Sequence, residues 1–205
     1  MTPIKRASGF ATYDVDSEVR IGNAVIQAFS KRYSAASIGL HWLMLVLIVA
    51  VYVCMDIDDF FPKGSAAHVG LKTWHYMLGL SVFALVWLRL LARLVGSTPP
   101  IAPEPPRWQA LAGEAMHVAL YVFMIGMPLL GWLTLSAQGK PIPFFGLTLP
   151  DLLSEDKGLA KQIKNIHETI ATIGYFLIGL HAAAALFHHY IQRDNTLRRM
   201  LPLKG

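Results

Sequence analysis

Histidine is the residue type in this sequence with the clearest capacity for chemistry. The chain has 205 residues and eight histidines, and five of these lie within long apolar stretches or close to their ends: His41, His75, His117, His181 and His188. Imidazole binds metal ions and exchanges protons near neutral pH. A polar side chain in an apolar segment is costly unless it has a partner, so each of these histidines is a candidate functional residue. The alternative for any one of them is a hydrogen bond to a carbonyl of a neighbouring helix.

Four apolar stretches would position these histidines within a membrane. Charged residues make up 15% of the chain, against about 25% in a typical soluble domain. A helix needs about 20 apolar residues to cross the hydrocarbon core. Such stretches occur at about residues 37–56, 73–95, 112–137 and 166–192, and proline-rich segments separate the later ones. The sequence predicts an all-α integral membrane protein in which four helices form one bundle.

The composition excludes several classes of protein and orients the chain. A disordered chain, a collagen-like repeat, a disulfide scaffold and an ordinary cytosolic enzyme do not fit 54% hydrophobic residues and a single cysteine, Cys54. With both termini in the cytoplasm, 12 of the 18 lysines and arginines fall on the cytoplasmic side, which agrees with the positive-inside rule. We therefore assign the net charge of +5 mainly to membrane orientation, and predict no nucleic-acid partner.

Residues 1–33 differ from the rest of the chain in having mixed polarity. They lack the apolar segment of about 7–15 residues that a cleavable signal peptide requires. We expect a cytoplasmic N-terminal extension, disordered or weakly helical, to which the sequence assigns no function. Residues 34–205 would form the transmembrane domain.

Depth in the membrane sorts four of the histidines into two pairs. His41 falls near the cytoplasmic edge of the first helix, and His75 near the outer edge of the second. On the fourth helix His181 follows His167 by 14 residues, which is about 21 Å along the axis and about 40° from a whole number of turns. His75 therefore matches the depth of His167, and His41 that of His181. His68 is expected in the loop between the first two helices.

Paired neutral imidazoles facing each other across a bundle suit the two axial positions of a haem iron. Zinc or copper is the alternative, but a structural zinc site needs four close ligands, whereas these pairs lie about 20 Å apart. The chain has no Cys-x-x-Cys-His motif for covalent attachment, so the haem would be of the b type. Small residues near the ligands would fit a flat macrocycle, or would simply allow close helix approach: Gly39, Gly79, Gly174, Gly179 and Ala182 to Ala185.

Three stretches of the chain resemble the bacterial cytochrome b561 family: GLHWLMLVLIVAVY, HETIATIGYFLIGLHAAAALFHHY and RDNTLRRMLP. The similarity covers residues 33–205, and the long N-terminal extension departs from the family pattern. The resemblance implies a four-helix inner-membrane protein with two b-type haems, which passes electrons from superoxide to ubiquinone. It also implies that His41 pairs with His181 and His75 with His167 as haem ligands, the same pairs that depth predicts.

Superoxide is a small anion, so its route to the outer haem should be electropositive. Lys157, Lys161 and Lys164 precede the fourth apolar stretch with spacings of four and three residues, which would place them on one side of a helix. We predict that they steer superoxide. The alternative is an ordinary solvated surface whose charge is diluted by neighbouring carboxylates.

Reduction of ubiquinone takes two electrons and two protons, so a titratable group is expected near the inner haem. His117 and His188 are the candidates for a quinone contact or a proton relay, with hydrogen bonds to carbonyls or haem propionates as the alternative. Arg89 and Arg93 would neutralise propionates of the inner haem, or would extend towards the lipid headgroups.

Two other functions are open to a membrane chain of this kind. One is a haem b subunit that relays electrons from a dehydrogenase or hydrogenase partner to the quinone pool. The other is a histidine-lined metal transporter, which should bring its histidines onto one path rather than into two separated pairs. We expect the lipid bilayer, superoxide and ubiquinone as partners, with no obligatory protein partner.

Overall fold

The computed structural model describes residues 32–202. Its four long helices are α1 (Ala35–Asp56), α2 (Ala66–Val95), α3 (Arg107–Ala137) and α4 (Lys157–Phe187). Each is long and apolar enough to cross a membrane, which confirms the prediction of four apolar helices in an all-α chain. The predicted N-terminal extension lies outside the described residues, apart from residues 32 and 33. We call the end at which α1 begins and α4 ends the inner end of the bundle, and the opposite end the outer end.

Three of the helices begin at a side-chain cap. Ser34, Ser65 and Asp156 each accept a hydrogen bond from a backbone N–H in the first turn of the helix that follows. Pro106 precedes α3, and its missing N–H costs nothing at that position. Because these caps lie outside the apolar stretches, α2, α3 and α4 begin earlier than hydropathy predicts. His68 was expected in a loop, but it lies in the first turn of α2.

The helices pack as antiparallel neighbours, with α1 against α2, α2 against α3, and α3 against α4. Met44 of α1, Val82 and Val86 of α2, and Met124 of α3 form a buried cluster in the middle of the bundle. Large apolar side chains cover the outside of all four helices, among them Val46, Leu88, Val122 and Phe176. This arrangement is expected of helices that face lipid, because apolar patches of such extent are unusual on soluble proteins.

A two-stranded hairpin covers part of the outer end, and the sequence analysis missed it. Strands β1 (Ile142–Phe144) and β2 (Leu147–Leu149) are antiparallel, and Ile142 is buried against Leu80 and Leu135. The two residues of the turn both have positive φ, 46° at Phe145 and 87° at Gly146, as a tight hairpin turn requires. The prolines of this segment do end the helical pattern, as predicted.

Gly174 lies near the middle of α4, where side chains of α1 and α3 fill the space that a Cβ atom would need. A Cβ atom there would lie 2.5 Å from Phe123 Cζ on α3 and would also collide with the Tyr52 hydroxyl of α1. Tyr52 cannot easily move, because its hydroxyl donates a hydrogen bond of 2.7 Å to the Ala171 carbonyl. The absence of a side chain at Gly174 therefore makes room for the side chains of Tyr52 and Phe123.

We expect Gly174→Ala to destabilise the protein by about 1–3 kcal/mol, the usual cost of overpacking a filled core. Gly113→Ala is the matched control, because Gly113 also lies within a helix and a Cβ there has no atom within 4 Å. The measurement is the midpoint of thermal unfolding in detergent. Equal midpoints for the two variants would contradict the tight packing of Tyr52 and Phe123 against Gly174.

Candidate functional site

The structure brings His75 and His167 together in the outer half of the bundle. Their ring centroids are 6.2 Å apart and their planes are inclined by 71°. His75 Nδ1 lies 3.0 Å from the Val51 carbonyl of α1, so Nδ1 carries the ring hydrogen and Nε2 is left available as a ligand. His167 Nδ1 is buried and makes no hydrogen bond among the described residues. Gly131 of α3 lies against the same ring.

His41 and His181 come together in the inner half with nearly the same geometry. Their ring centroids are 6.3 Å apart and the interplanar angle is 72°. His117 of α3 is a third member of this group, because its ring centroid lies 5.7 Å from that of His181. The four histidines paired by depth are thus adjacent in the same pairs, and His117 joins the inner one.

Both pairs fit the two axial positions of a haem. Two imidazoles bound to one iron at about 2 Å each would hold their ring centres about 6 Å apart, close to the separations seen here. Gly79 lies one turn after His75 on α2, and a Cβ there would have no atom within 4 Å. Among residues 32–202 no group of three or more His, Cys, Asp or Glu side chains is placed to hold a metal ion. The four-ligand zinc alternative therefore has no counterpart in this part of the chain.

Two arginines lie beside His117 in a pocket at the inner end. Its lining includes Arg89, Arg93, His117 and Tyr121. The guanidinium group of Arg93 lies over the Tyr121 ring, 5.9 Å from its centroid. Arg89 Nη1 is buried and makes no hydrogen bond among the described residues. An unpaired guanidinium donor suits a haem propionate and a headgroup phosphate equally well, so the role of Arg89 stays a prediction.

His188 has a buried carboxylate partner that the sequence analysis missed. It begins a π-helical turn, His188–Gln192, that extends α4. Its Nδ1 lies 2.5 Å from Oδ2 of Asp194, whose exposed fraction is 4%. Arg193 between them has φ 55°, a conformation uncommon for a residue with a side chain. The turn and this left-handed residue fold the chain back so that Asp194 reaches His188.

The segment after this turn forms hydrogen bonds with α1 and with the linker between α2 and α3 at the inner end. Asn195 is fully buried and exchanges hydrogen bonds with Pro100 and Ala102 of the proline-rich linker between α2 and α3. Arg199 donates to the Pro99 carbonyl, and burial lowers the pKa of its guanidinium group. The Trp42 indole donates to the Met200 carbonyl at 2.7 Å. The residue next to His41 is therefore anchored by the C-terminal segment.

The lysines predicted to steer superoxide lie on the first turns of α4, around an open depression at the outer end. Its lining includes Lys157, Lys161 and Lys164, and also Lys140, which the sequence analysis did not single out. Lys164 pairs with Glu168, and Lys157 with Glu155 at 3.7 Å. Within residues 32–202 Lys161 and Lys140 form no ion pair, so they contribute most of the uncompensated positive charge.

The chain is similar in sequence to a known family and to several known proteins. A family model described as prokaryotic cytochrome b561 matches residues 32–203. Cytochrome b561 homolog 1 of Escherichia coli is 43% identical over 171 residues, which cover 83% of this chain and 97% of that protein. A probable superoxide oxidase of Yersinia pestis is 36% identical over 174 residues, covering 85% and 98%. Cytochrome b562 of Cereibacter sphaeroides is 26% identical over 174 residues, covering 82% and 94%.

Proposed function

The chain belongs to the prokaryotic cytochrome b561 family, and from this premise we propose that it oxidises superoxide at its outer end and reduces ubiquinone at its inner end. The family implies haem b and a multi-pass protein of a bacterial membrane. The observation that carries the proposal is the presence of two histidine pairs of matching geometry, one towards each end of the bundle. We assign this function to residues 34–205, with the inner end and both termini facing the cytoplasm.

Each histidine pair would hold one haem b between α4 and a second helix. His75 and His167 would bind the outer haem, and His41 and His181 the inner haem. Bound haem supplies the one-electron chemistry that the side chains lack. The protein's part is to orient the ligands: the Val51 carbonyl fixes the tautomer of His75, and such a hydrogen bond also makes a ligand more basic.

Superoxide becomes dioxygen by losing one electron, so the outer end needs neither a general base nor a nucleophile. It needs a positive surface that raises the local concentration of the anion. Lys161 and Lys140 supply that charge beside the start of α4. A relative at 36% identity carries the name of a probable superoxide oxidase, which favours superoxide over other one-electron donors.

We expect Lys140→Glu combined with Lys161→Glu to slow superoxide capture about tenfold at low ionic strength, and much less in salt that screens surface charge. The measurement is the rate of haem reduction by a pulse of superoxide across a range of salt concentrations. Lys63→Glu is the matched control, because Lys63 is exposed in the loop between α1 and α2 and does not line the depression. A double variant that captures superoxide as fast as the unaltered protein at low ionic strength would remove the steering role.

Ubiquinone would accept electrons near the inner pair, two per molecule, together with two protons. His117 lies between His181 and the pocket that holds Arg89 and Arg93, so it can contact both the ligand pair and a bound quinone. His188, held by Asp194, is the second proton-exchanging candidate. Arg89, with its free donor, would bind a propionate of the inner haem.

Visible and low-temperature EPR spectroscopy of the purified protein test the cofactor assignment. We expect two haem b per chain, each low-spin with two histidine ligands, and rapid haem reduction by superoxide. A haem b relay subunit would show the same spectra, but its haems would be reduced by a dehydrogenase or hydrogenase partner and not by superoxide. A colourless protein would contradict both functions.

A further inference from the structure

A cluster of charged and titratable side chains lies at the outer end, and the proposed function leaves it unused. Asp58 belongs to the short helical turn Asp58–Phe60 after α1, and its exposed fraction is 4%. His68 lies in the first turn of α2 and is 9% exposed. Its Nδ1 is 2.8 Å from Asp58 Oδ1, and its Nε2 is 2.9 Å from Lys72 Nζ. We call these three residues the outer charge cluster.

The cluster holds two opposite charges with a neutral ring between them. Lys72 donates to His68 Nε2, so the ring hydrogen lies on Nδ1, beside the carboxylate of Asp58. The 2.8 Å contact is not aligned as a hydrogen bond, so the attraction is mainly electrostatic. Lys72 Nζ also lies 3.6 Å from Asp58 Oδ2. Because Lys72 is 38% exposed, this ion pair is partly solvated, and such pairs contribute at most about 1 kcal/mol to stability, so stability alone does not explain it.

The outer charge cluster lies on the same helix as His75 of the outer histidine pair, closer to the outer end. His75 follows His68 by seven residues, which places it on almost the same face of α2 and about 10 Å deeper. His75 bonds to Val51 near the end of α1, and the turn that carries Asp58 follows directly after that end. Asp58 therefore lies at the outer ends of the two helices, α1 and α2, that hold the His75 ring in place. A buried charge is little screened by salt, so it acts on this site over a longer range than a surface charge.

We propose that Asp58 and Lys72 set the reduction potential of the outer haem by holding opposite fixed charges on the His75 side of it. This inference rests on the proposed function, because it needs a haem between His75 and His167. A negative charge beside a haem favours the oxidised iron, and a positive charge favours the reduced iron. Because the two charges oppose each other, neutralising either one leaves the other uncompensated.

A spectroscopic redox titration of the purified protein with its haems bound tests this inference. Asp58→Asn should raise the potential of the outer haem, Lys72→Met should lower it, and Lys72→Glu should lower it further. The double variant Asp58→Asn with Lys72→Met should titrate nearer to the unaltered protein than either single variant does. The inner haem should keep its potential throughout. A purely structural role would not produce shifts of opposite sign.

Asp59→Asn and Lys63→Met are the matched controls, because they make the same charge changes at exposed positions near the cluster, and both should leave the outer potential almost unchanged. Shifts of the same sign in Asp58→Asn and Lys72→Met, or no shift, would overturn the inference. If Asp58→Asn does not accumulate, the graded Lys72 series decides, since Lys72 is 38% exposed and tolerates replacement. Absence of a second haem from the unaltered protein would instead overturn the proposed function.

Discussion

Replacement of His167 by alanine is expected to remove the outer haem and to leave the inner haem in place. His167 and His75 face each other at 6.2 Å between ring centroids, whereas the inner pair is built from His41 and His181 on other turns. A haem that keeps one of two axial ligands binds weakly, so the haem content should fall from two to one per chain. Superoxide-driven reduction of the inner haem should then slow by more than about tenfold, which corresponds to an activation barrier higher by at least about 1.4 kcal/mol.

The measurement combines haem content with the rate of haem reduction after a superoxide pulse. His68→Ala is the matched control, because His68 lies at the same end of α2 as His75 but is not a proposed ligand. That variant should retain both haems. If His167→Ala kept two low-spin haems and superoxide still reduced both, the assignment of the outer ligands would be wrong.

Replacement of His41 by alanine is expected to have the complementary effect at the inner end. The outer haem should remain and should still be reduced by superoxide, because its ligands and the lysine depression are untouched. Electrons would have no inner haem through which to reach ubiquinone, so quinone reduction should fall by more than about tenfold. Haem content and the rate of ubiquinol formation give the two readouts.

His117→Ala separates the two possible partners of His181. His117 has the shorter ring separation, 5.7 Å against 6.3 Å for His41, but the His41 pair matches the outer pair in separation and angle. We therefore expect His117→Ala to keep both haems and to lose mainly quinone reduction. Loss of the inner haem in His117→Ala, with its retention in His41→Ala, would make His117 the ligand.

The helices and the histidine pairs could be predicted from the sequence because both depend on local properties. Charge-free stretches show where helices cross the bilayer, and the 14-residue spacing of His167 and His181 decides their relative depth and face. The ends of the helices were predicted less accurately. Hydropathy detects only the part of a helix that crosses the hydrocarbon core, and the capping residues Ser65 and Asp156 lie outside that part. The hairpin was missed because its turn, at Phe145 and Gly146, lacks a common turn dipeptide.

The polar clusters at the two ends could not be predicted, because distant segments build them. Asn195 bonds to the linker between α2 and α3, almost a hundred residues earlier in the chain. No pattern within either segment predicts that contact. Asp58 and His68 belong to different elements whose approach depends on how the chain turns between α1 and α2. Lys140 joins the other lysines through the fold at the outer end. Asp194 follows His188 by only six residues, so their contact is local in the sequence. It could not be predicted, because it depends on the π-helical turn.

Haem reduction by superoxide, followed with and without ubiquinone, tests the proposed function most directly. The purified protein with its haems bound is exposed to a known superoxide flux while the reduced haem absorbance is recorded. We predict that both haems become reduced without ubiquinone, and that added ubiquinone reoxidises them and yields one ubiquinol for every two superoxide ions consumed. Haems that stay oxidised under superoxide, or reduced haems that ubiquinone does not reoxidise, would contradict it.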